Sequence, residues 1–428
     1  MTKKRTIYIG KAVQKLARLR GGGSALPGLV VEKLDKNFIS RTLEKMPKGV
    51  VVVTGTNGKT TTTKAVAELL RANGLRVFTN KTGSNFTRGI AAALLETMDN
   101  KGNVHADIAV VELDEAYATH FVKQVRPDYV LVLNVMRDQL DRFGEIDHTA
   151  KLLTKTAQAA TKGVILNRGD ERVAGIADHL DKDIEIRYFS AANTLKELFV
   201  SDDNLQRVDG SNSGNNYELQ PGDVELTGFN GQNVSYSLGK NQLTTKLQLT
   251  GAYNFLNIAG ALALVQAILG GKTDPEMLTN QLATVKPAFG RGEVLYIAGQ
   301  PLELVLVKNP AGFRLSLKTY NPEGYATMIA INDNYADGRD MSWLWDVDFS
   351  AFRKLGNVHM VSGIRAYDMA LRLQYDEVLV DSVEPDLADA LGDFIFGSPD
   401  SPKRIFCTYT AMLKLRRLLK KHTKVERI

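Results

Sequence analysis

The sequence predicts an α/β fold in which helices cover parallel sheets. Short apolar runs alternate with helical stretches, as expected when helices connect neighbouring parallel strands. The runs are apolar at every position, which is typical of strands buried on both faces of a sheet. A second pattern of alternating strands and helices begins at Val294. The predicted strands of the first half are Val50–Val53, Ile108–Val111, Tyr129–Leu133 and Gly163–Leu166.

A helical segment, residues 1–47, precedes the first strand. A basic helix is predicted from Ile9 to Arg20, followed by three glycines and a second helical stretch from Val30 to Leu43. The favoured interpretation packs the first helix on the main domain. The alternative is a helix lying on anionic lipid. Four basic side chains would then face the headgroups: Lys11, Lys15, Arg18 and Arg20.

The later elements follow the same logic. Residues 190–245 are rich in Asn, Gly, Asp and Ser, which predicts a polar insertion with short strands rather than core. A helix resumes at Tyr253–Leu269, and a linker at 286–288 precedes the second pattern. The strands of that second pattern are predicted near Tyr325–Ile331, His359–Ser362 and Glu377–Val380.

Bulk composition narrows the class of protein. A chain of 428 residues is too long for one ordinary core, so two or three domains are expected. The net charge of +6 suits anionic ligands such as nucleotides or lipid headgroups, and no nucleic-acid motif is present. The single cysteine, Cys407, excludes a disulfide framework and a four-cysteine zinc site, so we expect no zinc and a reducing cytoplasm. We expect that no apolar run is long enough to span a bilayer, and the start lacks the apolar core of a signal peptide.

A glycine-rich turn joins the valine strand to a helix that runs to about Ala72. Backbone N–H groups of such a turn, with the helix N-terminus, bind phosphate oxygens. Lys59 would reach the β- and γ-phosphates and Thr60 would hold Mg²⁺. The strict P-loop spacing is not met, because Val53 occupies the position of the first glycine. The predicted ATP site comprises Gly55, Thr56, Asn57, Gly58, Lys59, Thr60 and Thr61.

Glu112 lies at the end of the predicted strand that follows, within the sequence Val-Glu-Leu-Asp. A carboxylate at the carboxyl end of a strand, beside a P-loop, is well placed to bind a hard cation. We therefore predict that Glu112 and Thr60 bind Mg²⁺. The alternative is an exposed acidic loop at Asp114 and Glu115.

The string GTNGKTTT resembles the Mur ligase superfamily, which includes the peptidoglycan amino-acid ligases and folylpolyglutamate synthase. Residues 134–141 are similar to the family's N-x-x-x-D-H-L-D, with Gln139 in place of the histidine that helps bind a second metal. Residues 251–257 resemble G-x-H-N-x-x-N, which implies a nucleotide contact by Asn254 and adds Asn257 to the predicted site. Residues 290–293 resemble G-R-x-E, which implies that Arg291 reaches the phosphates.

The last third of the chain narrows the resemblance. Residues 331–349, 362–370 and 408–413 look like the C-terminal domain of the MurT family, the ligase subunits of lipid II isoglutaminyl synthases. Too few residues precede the P-loop strand for the UDP-binding domain of other Mur ligases. Many MurT proteins carry a four-cysteine zinc ribbon in the central domain, and this chain has no cysteine there. Residues 306–310 lack the aspartate and histidine of the D-Y-A-H-x-P segment found in amino-acid-adding ligases.

The resemblance implies a P-loop Mur ligase central domain with a parallel sheet, residues 48–286, and a smaller Rossmann-like α/β C-terminal domain, residues 287–428. ATP would bind between them. The implied reaction is ATP-dependent amidation of the D-glutamate α-carboxylate of the lipid II stem peptide through an acyl phosphate. No Cys–His glutaminase pair is visible, so ammonia would come from a GatD-like glutamine amidotransferase subunit. The implied location is cytoplasmic, at the inner face of the membrane.

Two other functions remain open at this point. One is an amino-acid ligase similar to folylpolyglutamate synthase, against which the missing aspartate and histidine count. The other is a non-catalytic nucleotide-binding scaffold for a partner protein.

An acidic segment, Asp337 to Asp348, carries a further hypothesis. In the MurT family an aspartate of this domain is thought to orient the partner's catalytic histidine, and a Cys–His pair works best when a third group fixes the imidazole. The candidates are Asp340, on a polar loop, and Asp346. The alternative is that they cap turns or meet Arg339 and Arg353. Strand-like alternation predicts a core face of Trp343, Trp345, Val347 and Phe349 and an opposite face of Leu344, Asp346 and Asp348.

Overall fold

The computed structural model describes residues 3–19, 26–80, 86–99, 101–136, 146–199, 219–271, 273–286, 291–320, 322–355, 357–398, 400–423 and 425. The described residues form two compact units. The first unit lies within Met1–Met136, Asp147–Gln248 and Ala252–Lys286. The second lies within Arg137–Ile146, Leu249–Gly251 and Pro287–Ile428.

A nine-stranded sheet runs through the described part of the first unit, in the order β2-β3-β1-β4-β5-β6-β7-β8-β9. Neighbouring strands are parallel from β2 to β7, and β7, β8 and β9 are antiparallel. The four strands predicted for the first half are confirmed as β1, β3, β4 and β5. The strands are β1 Val50–Thr54, β2 Val77–Thr79, β3 Ile108–Glu112, β4 Tyr129–Val132, β5 Gly163–Asn167, β6 Glu185–Ala191, β7 Val224–Asn230, β8 Asn233–Leu238 and β9 Asn241–Lys246.

Helices cover this sheet and build the amino-terminal segment. They are α1 Lys3–Leu19, α2 Leu26–Leu34, α3 Phe38–Leu43, α4 Lys59–Ala72, α5 Thr87–Thr97, α6 Glu115–Val122, α7 Ile146–Ala157, α8 Glu171–Ala174, α9 Ala252–Leu269 and α10 Pro275–Leu282, with 3-10 helices at Gly175–His179 and Asn193–Phe199. Helix α9 packs against α4 and against β5, β6 and β7. Among the described helices, α9 is long and apolar enough to cross a bilayer, so the expectation that no such run exists is wrong on length. Because 67% of α9 is buried inside the protein, it is the central core helix of this unit.

The first helix packs on the rest of its unit, as the favoured interpretation predicts, although it begins at Lys3 rather than Ile9. It contacts α2 and α5, with Thr6, Ile7 and Ala17 buried. The Lys11 ammonium donates hydrogen bonds to the carbonyls of Met98 and Asp99, at 2.8 and 3.1 Å. The orientation of Lys11 towards lipid headgroups is therefore wrong, because its charge is used inside the protein. The side chains of Arg18 and Arg20 lie outside the described residues.

The described part of the polar insertion contains the predicted short strands and adds to the core. Residues 200–218 lie outside the described residues, but β7, β8 and β9 continue the main sheet. Their alternating pattern buries one face, and the Tyr236 hydroxyl on that face donates to the carbonyl of Phe255 on α9 at 2.9 Å. The expectation that 190–245 contributes no core is wrong, since alternate apolar residues suffice to cover a helix. The buried apolar residues of β7 and β8 are Val224, Leu226, Val234, Tyr236 and Leu238.

The second unit is built on a sheet of six strands, in the order β10-β11-β15-β12-β13-β14. Neighbours are parallel except for β10, which is antiparallel to β11. Its strands are β10 Arg291–Ile297, β11 Gln300–Leu306, β12 Ala326–Ala330, β13 Met360–Ser362, β14 Val383–Glu384 and β15 Lys403–Cys407. Its helices are α11 Pro310–Thr319, α12 Ser350–Leu355, α13 Ala366–Tyr375, α14 Leu387–Gly397 and α15 Tyr409–Leu419, with a 3-10 helix at Ser342–Asp346. Buried apolar clusters lie on both faces of the sheet.

Two of the three strands predicted for this unit are confirmed, as β12 and β13. The strand predicted at Glu377–Val380 is wrong. Glu377 has a φ of 55°, which is incompatible with a strand, and Val380 makes only an isolated bridge with Val358. The chain turns at Glu377, and the strand that pairs with β13 comes later, as the short β14.

The strand-like alternation predicted for the tryptophan segment is also wrong. Trp343 and Leu344 are both buried, whereas Trp345 is 47% exposed, because the segment forms a 3-10 helix with a period near three. Arg372 on α13 stabilises this helix by donating to the carbonyls of Leu344 and Val347 at 3.3 and 2.6 Å.

Candidate active site

The turn between β1 and α4 is held in a conformation that requires glycine. Gly55 and Gly58 have φ values of 122° and 90°, in the region that favours glycine. A Cβ on Gly55 would lie 3.0 Å from the backbone N and O of Asn134, and a Cβ on Gly58 would lie 2.1 Å from the amide nitrogen of Asn257. The turn is therefore enclosed by the loop after β4 and by α9, and α4 begins at its end.

The Asn134 side chain holds the turn by hydrogen bonds to both the N–H and the carbonyl of Asn57. Its Oδ1 accepts from the N–H of Asn57 at 2.8 Å, and its Nδ2 donates to the carbonyl of Asn57 at 2.9 Å. The backbone carbonyl of Asn134 accepts from the N–H of Thr56 at 3.0 Å. The Thr56 hydroxyl accepts from the N–H of Met136 at 3.1 Å. These bonds fix the turn before any ligand is bound.

Lys59 folds back onto the turn. Its Nζ lies 2.5 Å from the carbonyl oxygen of Gly55 and 3.1 Å from that of Thr56. It also forms an ion pair with Glu115, at 3.6 Å from Oε2. Both side chains are buried, with 5% of Lys59 and 1% of Glu115 exposed. The alternative of an exposed acidic loop is therefore wrong, because Glu115 and its neighbour Asp114 lie inside the protein.

Thr60 and Glu112, the two predicted metal ligands, lie together. The Thr60 hydroxyl donates to Oε1 of Glu112 at 2.8 Å. Glu112 ends β3 and pairs with Val53 of β1, so the sheet delivers its carboxylate to the turn. Asn80 exchanges hydrogen bonds with the Glu112 backbone on the other side, at 2.9 Å each. This pairing fixes the position of Glu112.

The paired oxygens suit a magnesium ion. Hydroxyl and carboxylate oxygens are the hard ligands that Mg²⁺ prefers, usually with one or two carboxylates completed by phosphate and water oxygens. Within the described residues, no cluster of three or more His, Cys, Asp or Glu side chains could hold a metal. The protein therefore offers a partial ligand set of the kind that a phosphate chain completes.

The other predicted nucleotide residues are only partly described. Asn257 on α9 is buried and adjoins Gly58, and Asn254 lies one turn earlier. Thr61 is buried in the first turn of α4, and its hydroxyl makes no hydrogen bond within the described part of the chain. Arg291 begins β10 in the second unit, and its side chain lies outside the described residues. Gln139 and its neighbours also lie outside them.

Three residues that build this region have no role predicted from the sequence, although Asn134 begins the segment similar to N-x-x-x-D-H-L-D. Asn80 and Asn134 follow the ends of β2 and β4, and Asp170 follows β5. The carboxyl ends of parallel strands meet at one edge of a sheet, and polar residues at those ends could have identified them. Asp170 caps α8 by accepting from the N–H of Val173 at 3.1 Å, and it accepts from the N–H of Val135 at 2.7 Å. Burial raises the pKa of Asp170 from 3.8 to about 6.

In the second unit, the aspartates of the acidic segment have different surroundings. Asp337 is buried and accepts from the N–H and hydroxyl of Thr410 at 2.7 and 2.5 Å. Asp340 accepts from the N–H of Ser342 at 2.9 Å, and hydrogen bonds from the side chain and the backbone of Ser342 lower the pKa of Asp340. Asp346 is exposed at the end of the 3-10 helix. Arg353 pairs with Glu377 at 3.0 Å.

Family models match most of the chain. The model of the Mur ligase middle domain matches residues 53–265, and that of the MurT ligase C-terminal domain matches residues 306–412. The subunit MurT of lipid II isoglutaminyl synthase (glutamine-hydrolyzing) from Streptococcus pneumoniae is 29% identical over 427 residues, covering 94% of each chain. The chain belongs to the MurT family of Mur ligases. The corresponding MurT subunit from Staphylococcus aureus strain COL is 28% identical over 87% of this chain and 88% of its own length.

Solved structures show the same fold. MurF from Acinetobacter baumannii superposes with a TM-score of 0.67 at 18% identity, covering 88% of this chain and 79% of its own. MurF from Thermotoga maritima, solved in complex with ADP, gives 0.66 at 18% identity over 91% and 83%. Folylpolyglutamate synthase from Mycobacterium tuberculosis gives 0.60 at 16% identity over 91% and 97%. The predicted α/β Mur ligase fold is confirmed, and the protein is a ligase of the Mur type.

Proposed function

We propose that this chain is the ligase subunit of a two-subunit enzyme that amidates the D-glutamate α-carboxylate of the lipid II stem peptide. ATP supplies the energy, and a GatD-like glutamine amidotransferase supplies ammonia. The names of the curated relatives support this proposal, since they describe glutamine-hydrolysing lipid II isoglutaminyl synthase subunits. Because lipid II is a membrane lipid, the chain would work as a cytoplasmic protein at the inner face of the membrane.

The observation that carries the proposal is the hydrogen-bonded pair of Thr60 and Glu112 beside Lys59. A hydroxyl and an ammonium group at the start of α4, with a carboxylate at the end of β3, form the set that binds a Mg²⁺–triphosphate. The N–H groups of residues 58–61 and the positive end of α4 would bind the phosphate oxygens, since those of Thr56 and Asn57 donate to Asn134. Bound Mg²⁺ would supply positive charge to the phosphoryl group in transfer.

The proposed reaction has two steps. The γ-phosphoryl group passes from ATP to an oxygen of the D-glutamate carboxylate, which releases ADP and forms an acyl phosphate. Ammonia then attacks the carbonyl carbon, the bond to the phosphate oxygen breaks, and a proton is lost as the amide forms. Lys59 would leave the Gly55 and Thr56 carbonyls and stabilise the charge on the transferring group. Asn254, Asn257 and Arg291 remain the proposed further contacts to the nucleotide.

The test is amidation of lipid II by the chain reconstituted with a GatD-like subunit, glutamine and Mg²⁺-ATP. Lys59→Ala is expected to abolish amidation without unfolding the protein. Lys64→Ala is the matched control, because Lys64 lies on the same helix and pairs with Glu68 at the surface. Near-normal turnover by Lys59→Ala would contradict the ATP site. ATP hydrolysis without amide formation would favour a different acceptor.

The proposed partnership has its own test. We propose that Asp340 or Asp346 supplies the carboxylate that orients the catalytic histidine of the glutaminase subunit. Asp340→Asn and Asp346→Asn are assayed separately for glutamine hydrolysis by the complex. Asp348→Asn is the matched control, since Asp348 caps the next turn through the N–H of Ser350. The hypothesis is wrong if both variants bind the partner and hydrolyse glutamine at the normal rate.

A further inference from the structure

We infer that Glu115 competes with the nucleotide phosphates for Lys59 and thereby lowers the affinity of the site for nucleotide. This inference rests on the proposed nucleotide site. It assigns a function to a carboxylate that lies outside the predicted metal pair. Glu115 would be a positioning residue, because it acts through Lys59.

The geometry separates two neighbouring carboxylates. Glu112 bonds to Thr60, whereas Glu115, the first residue of α6, pairs with Lys59. Asp114 is the N-cap residue of α6, so Glu115 lies in the first turn of that helix. The positive N-terminal end of α6 also favours the negative charge of Glu115. Thus the two ligands of the proposed phosphate site, Thr60 and Lys59, each face a different carboxylate.

The ion pair between Lys59 and Glu115 is buried, which strengthens the attraction between the two charges. Charges attract more strongly away from water, and a buried charge that loses its partner is unfavourable. Lys59 must move its Nζ away from the Gly55 and Thr56 carbonyls to reach phosphates. In the proposed complex this movement also draws Nζ away from Glu115, whose Oε2 lies 3.6 Å from it here. Nucleotide binding is therefore opposed by the loss of the attraction between Lys59 and Glu115.

The sign of the effect is testable. Glu115→Gln removes the charge and keeps the shape of the side chain, so it releases Lys59 to the phosphates. We expect the affinity for Mg²⁺-ADP to rise about tenfold, which corresponds to about 1.4 kcal/mol. Glu115→Ala is expected to act in the same direction, whereas Glu115→Asp, which keeps the charge, stays near the wild type. A residue that merely supports the fold would weaken binding in all three variants.

The experiment is calorimetric titration of the full chain with Mg²⁺-ADP, for the wild type and these variants. Each is repeated in a Lys59→Ala background. The gain from Glu115→Gln is expected to vanish there, because the competing cation is gone. Tighter binding that persists without Lys59, or unchanged or weaker binding in Glu115→Gln, overturns the inference. Failure of the wild type to bind ADP would overturn the proposed nucleotide site itself, and with it this inference.

Discussion

Asn134→Ala removes the side chain that holds the P-loop turn and leaves every residue of the proposed nucleotide site in place. The variant loses two part-buried hydrogen bonds to the backbone of Asn57. A buried bond contributes about 1 kcal/mol, and burial of a polar group deprived of its bond costs up to about 3 kcal/mol. We therefore expect a loss of roughly 2–4 kcal/mol in the free energy of unfolding.

Affinity for Mg²⁺-ADP is expected to fall about tenfold in the same variant, because the turn must then be ordered by the ligand. Denaturant unfolding and calorimetric titration measure the two effects. Asn73→Ala is the matched control: its amide donates to the Leu69 carbonyl at the far end of α4, at 2.8 Å. The control should lose some stability and keep its affinity. Normal affinity in Asn134→Ala would refute the reasoning that the turn is preorganised by this side chain.

Three further predictions concern metals and pH. Glu112→Ala is expected to raise the Mg²⁺ concentration required for amidation or to abolish activity, which a magnesium titration measures. Elemental analysis is expected to find no stoichiometric zinc, since residues 190–245 contain neither Cys nor His. The raised pKa of Asp170 means that the folded protein binds the carboxyl proton more tightly than the unfolded chain does. The resulting contribution to stability is fully present below about pH 4 and is lost as the pH rises through about 6. Between about pH 4 and pH 7, the free energy of unfolding of the wild type should fall by about 3 kcal/mol relative to that of Asp170→Asn. The prediction is wrong if the unfolding free energies of the two proteins change in parallel with pH.

Local patterns predicted the core of the first unit well. The valine run before the glycine turn forms β1 at the centre of the sheet, because continuous apolar residues can only be buried on both faces. The meeting of Thr60 and Glu112 also follows from sequence. Both residues lie at the carboxyl ends of neighbouring parallel strands or just after them, and such ends share an edge.

Other features depend on contacts between distant residues. The tryptophan segment alternates like a strand, but Arg372 binds its carbonyls and favours a 3-10 helix. Asn80 holds Glu112 from the end of β2, and nothing in its own segment distinguishes it. Asn134 begins the segment similar to N-x-x-x-D-H-L-D, but its hold on the turn is a contact between distant residues. The pairing of Lys59 with Glu115 crosses between two helices, and local spacing does not reveal it.

The position of β15 bears on how the second unit is made. This strand lies between β11 and β12, yet it is the last of the six strands to be synthesised. Until residues 403–407 emerge, β11 and β12 have no shared neighbour, and Phe406 is missing from the core beneath them. Pairing over about a hundred residues also slows folding, since distant segments must meet before they are stabilised. The unit therefore passes through a stage with two open strand edges, at which premature association between nascent chains is a hazard.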